Sequence, residues 1–167
     1  MNLGIFLESV LCVGLGLVLI ILIGYLLKAG TRSRNRKKLN WIFVLLKDGG
    51  LNRLQFRDGL FLIGKELNLK PFYEFKPYMY GPFCSEIYAH LTSLQLTVLA
   101  QGRRTDDYRD FIYELTEKGK EIADILYEAL NPEEQKKISE IKEFLKLSLD
   151  ERARSLSKKY PDFYRLN

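Results

Sequence analysis

The chain has 167 residues, 26 basic against 21 acidic, with a formal charge of +5 and 47% hydrophobic residues. One histidine, two cysteines and no glycine-rich phosphate loop leave little material for a metal cage, a disulfide framework or nucleotide chemistry. The positive charge is local: six cations and one acid fall in residues 1–38, which leaves 20 of each sign from Leu39 onward and weakens the case for nucleic-acid wrapping by bulk electrostatics.

Residues 9–27 run nineteen positions without a charge, and only Glu8 interrupts the apolar character before them. A bilayer core needs roughly 20 apolar residues, so the stretch is long enough for a transmembrane helix. A cleaved signal peptide fits less well, because no cation precedes the run and Lys28-Ala29-Gly30 is a poor cleavage site. A buried core helix fits less well too, because the run is apolar on every face. Lys28, Arg32, Arg34, Arg36, Lys37 and Lys38 follow at once, which by the positive-inside tendency places the remainder in the cytoplasm. The expectation is a single-pass protein of the cell membrane, with an anchor over 1–27, contact with the membrane through 9–27, a basic juxtamembrane linker over 28–38 and a cytoplasmic C-terminal domain.

From Leu39 onward there is enough chain for one core. A first helix is expected over 39–47, with Trp41, Val44 and Leu45 inward, ending at Asp48-Gly49-Gly50. A second spans 53–67, with Gly59 and Gly64 as weak points worth about 1 kcal/mol each against Ala. Residues 68–80 hold two prolines and many aromatics, and are expected to be extended. Gly81 and Pro82 then punctuate a turn, and Ser85 offers a cap oxygen to a helix that buries Ile87, Leu91, Leu94 and Leu96. Residues 96–100 follow as a strand, 101–110 as a polar loop and 111–115 as a second strand, which is the order of a winged helix. Thr116 caps a helix over 117–130 with Ile122, Ile125, Leu126 and Ala129 on one side, closing a winged-helix domain over 39–130.

The remainder, 131–167, reads as a C-terminal helical extension. Asn131-Pro132-Glu133-Glu134 and Ser148-Leu149-Asp150-Glu151 are two helix starts with reciprocal acids, and Ile138, Ile141, Phe144, Leu145 and Leu147 give the first helix an apolar face. These helices are expected to cover the aromatic stretch or to serve as a homodimer surface. The fold class is therefore mainly α with a small β-wing: a transmembrane helix, a winged helix-turn-helix domain and terminal helices.

Three separated blocks carry a resemblance. Tyr80, Gly81, Pro82, Phe83 and Ser85, with Cys84 inserted, match a YGP(F/Y)S turn; Leu115, Thr116, Lys118 and Gly119 match an LT-x-KG block; Lys159, Tyr160 and Pro161 match a terminal KYP. Over about 40–163 the chain resembles the Panacea antitoxin-domain family and related uncharacterised winged-helix proteins. The resemblance implies a winged-helix interaction module associated with toxin neutralisation or mobile-element defence, not an enzyme. The apolar run departs from that pattern.

Catalysis is not expected, and no cofactor or metal is either. Cys84 and His90 stand six residues apart, which puts them on different faces of a helix, and each has the plainer reading of a packed or polar surface residue. Asp106, Asp107 and Asp110 lie beside Arg103, Arg104 and Arg109, the composition of a solvated wing tip. Two functional readings stay open. One is a DNA-binding transcriptional regulator, reading through Lys76, Ser85, Tyr88, His90, Thr92 and Ser93 with Arg103 and Arg104 on the wing, although its recognition helix has no cation and carries Glu86. The other is an antitoxin-like or adaptor module at the membrane, taking a protein partner or toxin on an aromatic surface at Tyr78, Tyr80 and Phe83.

Overall fold

A computed structural model describes residues 37–79, 81–105 and 111–164. Helix α1 covers 37–46, strand β1 is Leu51–Asn52 and helix α2 is Arg53–Glu66; a long connection leads to α3, Glu86–Leu96. Strands β2, Ala100–Arg104, and β3, Phe111–Leu115, are followed by α4, Glu117–Glu128, α5, Pro132–Leu145, and α6, Leu149–Lys159. A single 3-10 turn, Pro161–Phe163, follows α6.

The two long strands pair antiparallel, with Ala100 opposite Leu115 and Arg104 opposite Phe111. β1 adds to the far side of β3, giving the sheet order β1-β3-β2. A strand between the first two helices that pairs with the returning arm of a hairpin after the third is the winged-helix arrangement, so the wing is fastened to the helical body at its base.

Local capping chemistry sets most helix starts. Asn52, Asn131 and Ser148 each accept a hydrogen bond from the N3 backbone while the N3 side-chain oxygen accepts one from the cap residue's own N–H, and Thr116 accepts from Gly119 N–H. Ser85 does not follow suit: its backbone is already helical and its side chain makes no cap bond. Helix α3 ends with Leu99 N–H on the Leu94 carbonyl and Val98 N–H on the Gln95 carbonyl, with Val98 in the left-handed region at φ +56°. This turn uses up residues 97–99, so β2 starts at Ala100 and runs into the expected polar loop. Leu96, expected on the buried face, is 81% exposed at the end of α3, and Ile125 is 69% exposed on α4.

The core is shared by both halves of the chain. Ile42 and Leu46 of α1, Phe56, Leu60 and Ile63 of α2, Ile87 and Leu91 of α3, Ile138 and Leu145 of α5 and Leu156 of α6 are buried together. Each contributes roughly 1.5–3 kcal/mol by leaving water. Gly59, a liability by propensity, sits where Leu45 and Leu145 press against α2 from two sides. The terminal segment acts as a cover: Phe75, Tyr160 and Phe163 pack edgewise on Phe61 at 4.9–5.3 Å between ring centres, and Tyr164 pairs with Tyr78.

The expected architecture is corrected at its amino-terminal end. Among the described residues no helix is long and apolar enough to cross a membrane. The longest helices with printed bounds, α2 and α5, have 14 residues, which at 1.5 Å per residue reach about 21 Å against a hydrocarbon core of about 30 Å. The run over 9–27 lies outside the described residues, and the expected membrane location is withdrawn with the anchor.

Candidate nucleic-acid interface

Ser85, Ala89, Thr92, Ser93 and Leu96 are exposed and fall on one helical stripe of α3, opposite the buried Ile87, Leu91 and Leu94. The stripe is uncharged, small from Ser85 to Ser93 and ending on the large apolar Leu96. Thr92 Oγ1 donates to the Tyr88 carbonyl at 3.0 Å, which fixes its rotamer and leaves its lone pairs outward. Beside this stripe runs β2, since an added Cβ on Gly102 would meet Gln95 Nε2. Arg103 and Arg104 are both exposed on that strand; the Arg103 Nε is only loosely paired with Glu114 at 3.7 Å and Arg104 lies over the Phe111 ring.

Glu86, the one acid on α3, is paired. Lys38 Nζ bonds both of its carboxylate oxygens at 2.7 and 2.8 Å, and the lysine itself is buried against the Tyr73 ring. A negative charge in the first turn also suits the helix dipole. The repulsion that Glu86 would exert on a phosphate is thereby reduced.

His90 turns the other way. Its side chain is 13% exposed and its Nδ1 is 2.9 Å from the Tyr73 hydroxyl. Burial pushes the Tyr73 phenol far up, so the hydroxyl keeps its proton beside Nδ1, while Nε2 faces Glu86 at 3.9 Å. Burial also holds the His90 pKa below its ordinary value. Acid therefore protonates the unfolded chain first, and stability falls as pH drops through about 6.5. Urea midpoints between about pH 7.5 and 5 should fall more steeply for wild type than for His90→Gln. Equal slopes would remove the assigned protonation state.

The remaining predicted residues separate into two places. Lys76 is exposed in a tight hairpin, where its backbone exchanges both hydrogen bonds with Phe83 at 2.8 and 2.9 Å. Gly81 closes that hairpin at φ +102°, with Tyr164 against it. Tyr78, Phe83 and Tyr88 form a row of rings, at 5.4 Å from Tyr78 to Phe83 and 6.3 Å from Phe83 to Tyr88. Tyr88 thus belongs with the aromatic residues and not with the exposed stripe. Tyr80 and the wing residues 106–110 lie outside the described residues.

That row forms one wall of a groove of about 500 Å³ between α2, the hairpin and α6. Three residues not singled out from the sequence shape it: Arg53, whose guanidinium lies 4.8 Å over the Tyr88 ring, and the buried pair Arg57 and Asp58. Arg57 Nε and Nη2 donate to Asp58 Oδ1 at 3.0 and 2.7 Å, and Arg152 of α6 approaches Oδ2 at 3.4 Å. Burial pushes the Asp58 carboxyl up, and the two guanidiniums pull it back. No local signal marks this place, since α2 also carries Arg53, Gln55, Lys65 and Glu66.

No protein-family model matches the chain, and no curated protein matches it. Solved structures do. The chain is similar to the C30AH42A mutant of ZitR from Lactococcus lactis, at 19% identity over 75% of this chain and 70% of that one, with a TM-score of 0.37. It is similar to the adhesin competence repressor AdcR from Streptococcus pyogenes, at 18% identity over 86% of this chain and 92% of that one, with a TM-score of 0.39. The apo form of the same ZitR mutant matches at 18% identity over the same shares, with a TM-score of 0.38.

Proposed function

We propose that the chain is a non-catalytic winged-helix protein that binds duplex DNA through α3 and the wing and acts as a transcriptional regulator. The observation that carries this reading is the exposed, uncharged stripe of α3 beside two exposed arginines on β2. A major groove about 12 Å wide admits such a helix, and hydroxyls at Ser85, Thr92 and Ser93 serve as donors or acceptors to base edges. Arg103 and Arg104 supply the phosphate or minor-groove contacts that the helix lacks. The Glu86–Lys38 pair removes the main electrostatic objection.

Fluorescence anisotropy of the full-length chain with mixed-sequence duplex DNA over a salt series tests this. Binding should weaken as salt rises, and Arg103→Ala with Arg104→Ala should lower the salt slope by about two. Ser93→Glu should abolish binding by placing a carboxylate on the stripe. A folded wild-type chain that binds no duplex at low salt would sink the proposal.

A further inference from the structure

We propose that the groove between α2, the hairpin and α6 binds a small monocarboxylic acid with a flat aromatic body, its carboxylate paired with Arg57. Three independent observations converge on that chemistry. The space, about 500 Å³, is of the size that takes a small molecule, and the rings of Tyr78, Phe83 and Tyr88 line it in series. These rings, tilted 34–38° to one another, present a flat-sided apolar wall that favours an aromatic guest.

The floor carries an unbalanced charge. Arg57, Asp58 and Arg152 are 6%, 2% and 3% exposed, so two guanidiniums share one carboxylate where water is scarce. An uncompensated buried cation is costly, and one ligand carboxylate would balance it. The opposing charge at the rim, Asp150, is exposed and disfavours a second anionic group on the guest.

Arg57 also has a donor to offer. Its Nε and Nη2 are taken by Asp58, whereas Nη1 has no acceptor among the described residues. Arg57 lines the groove. The Tyr164 hydroxyl stands at the same floor as a second donor, its pKa pushed up to about 12 by burial and by Asp58. This site stands whether or not α3 binds DNA, although Tyr88 belongs to both the groove and that helix.

The test is calorimetric titration of the full-length chain with sodium 2-naphthoate and, in parallel, with neutral 2-naphthamide. Naphthoate should bind saturably at one site, and the amide about tenfold or more weaker, the loss of a charge-assisted pair. Arg57→Met should weaken naphthoate to the level of the amide. Because that variant disturbs a buried ion pair, Ala153→Phe serves as the second: it fills the groove from α6, leaves Arg57 and Asp58 in place, and should abolish binding of both ligands with an unchanged circular dichroism spectrum. No saturable naphthoate binding, equal affinity for the amide, or wild-type binding by Ala153→Phe would each overturn the proposal.

Discussion

Asp58→Leu should destabilise the fold by about 3–5 kcal/mol, the cost of leaving buried charges unpaired. Asp58 is 2% exposed and is the acceptor for Arg57, one residue away, and for Arg152, 94 positions along the chain. Removing it strands two guanidiniums between α2 and α6 with no carboxylate to face. Asp58→Asn should fall between, since it keeps an acceptor and loses the charge. Converting the whole set, Arg57→Met with Asp58→Leu and Arg152→Met, should recover part of the loss, because an apolar triad carries no desolvation cost. Recovery should stop short of wild type for a specific reason. Arg152 Nη1 also donates to the carbonyls of Leu145 at 3.3 Å and Leu147 at 2.6 Å; Leu145 keeps a bond from Gln55 Nε2 at 2.9 Å, but the Leu147 carbonyl just past α5 loses this donor, at about 1–3 kcal/mol. Urea denaturation with unchanged m-values measures all three, and an Asp58→Leu variant within about 1 kcal/mol of wild type would show that the arginines find water instead.

Gly119→Ala should cost about 3 kcal/mol, although alanine is the better helix former by about 1. Gly119 is the third residue of α4, and an added Cβ would overlap the Leu99 carbonyl oxygen and stand 3.2 Å from Leu115 Cβ. That carbonyl cannot rotate away, because Thr116 N–H holds it at 3.2 Å while Thr116 Oγ1 donates to the Val98 carbonyl at 3.0 Å. The start of α4 is thus docked directly on the turn between α3 and the wing. Gly102→Ala is the control: its Cβ would meet Gln95 Nε2 at 2.8 Å, the far end of a long side chain that can swing aside, and it should cost about 1 kcal/mol or less. Thermal melts of the two variants should differ by several degrees, and a Gly119→Ala chain as stable as wild type would contradict the docking.

What could be read from the sequence alone follows one rule. The starts at Asn52, Thr116, Asn131 and Ser148 are decided within three residues by side chains that reach the free N–H groups of their own helix, and the order of helices and wing strands follows from them. The buried faces of α2, α3 and α5 were legible for the same reason, since helical spacing alone puts Leu60 with Ile63, Ile87 with Leu91 and Ile138 with Ile141. The glycine of the LT-x-KG block was visible as a motif, but its reason, the Leu99 carbonyl, was not.

Where direction rather than spacing matters, only the tertiary structure decides. His90 was expected on the DNA-facing side and turns inward because Tyr73, 17 residues earlier, offers it a hydroxyl. β2 begins four residues later than alternation implied, because Val98 takes a left-handed conformation and the pairing with β3 sets the register. Tyr88 joins the aromatic groove because the hairpin just before α3 lies beside it and α6 is brought to it from the far end of the chain. A charged pair such as Arg57 and Asp58 reads from sequence as a solvated face. It is buried because Arg152 arrives from 94 residues away, a partner that no local pattern encodes.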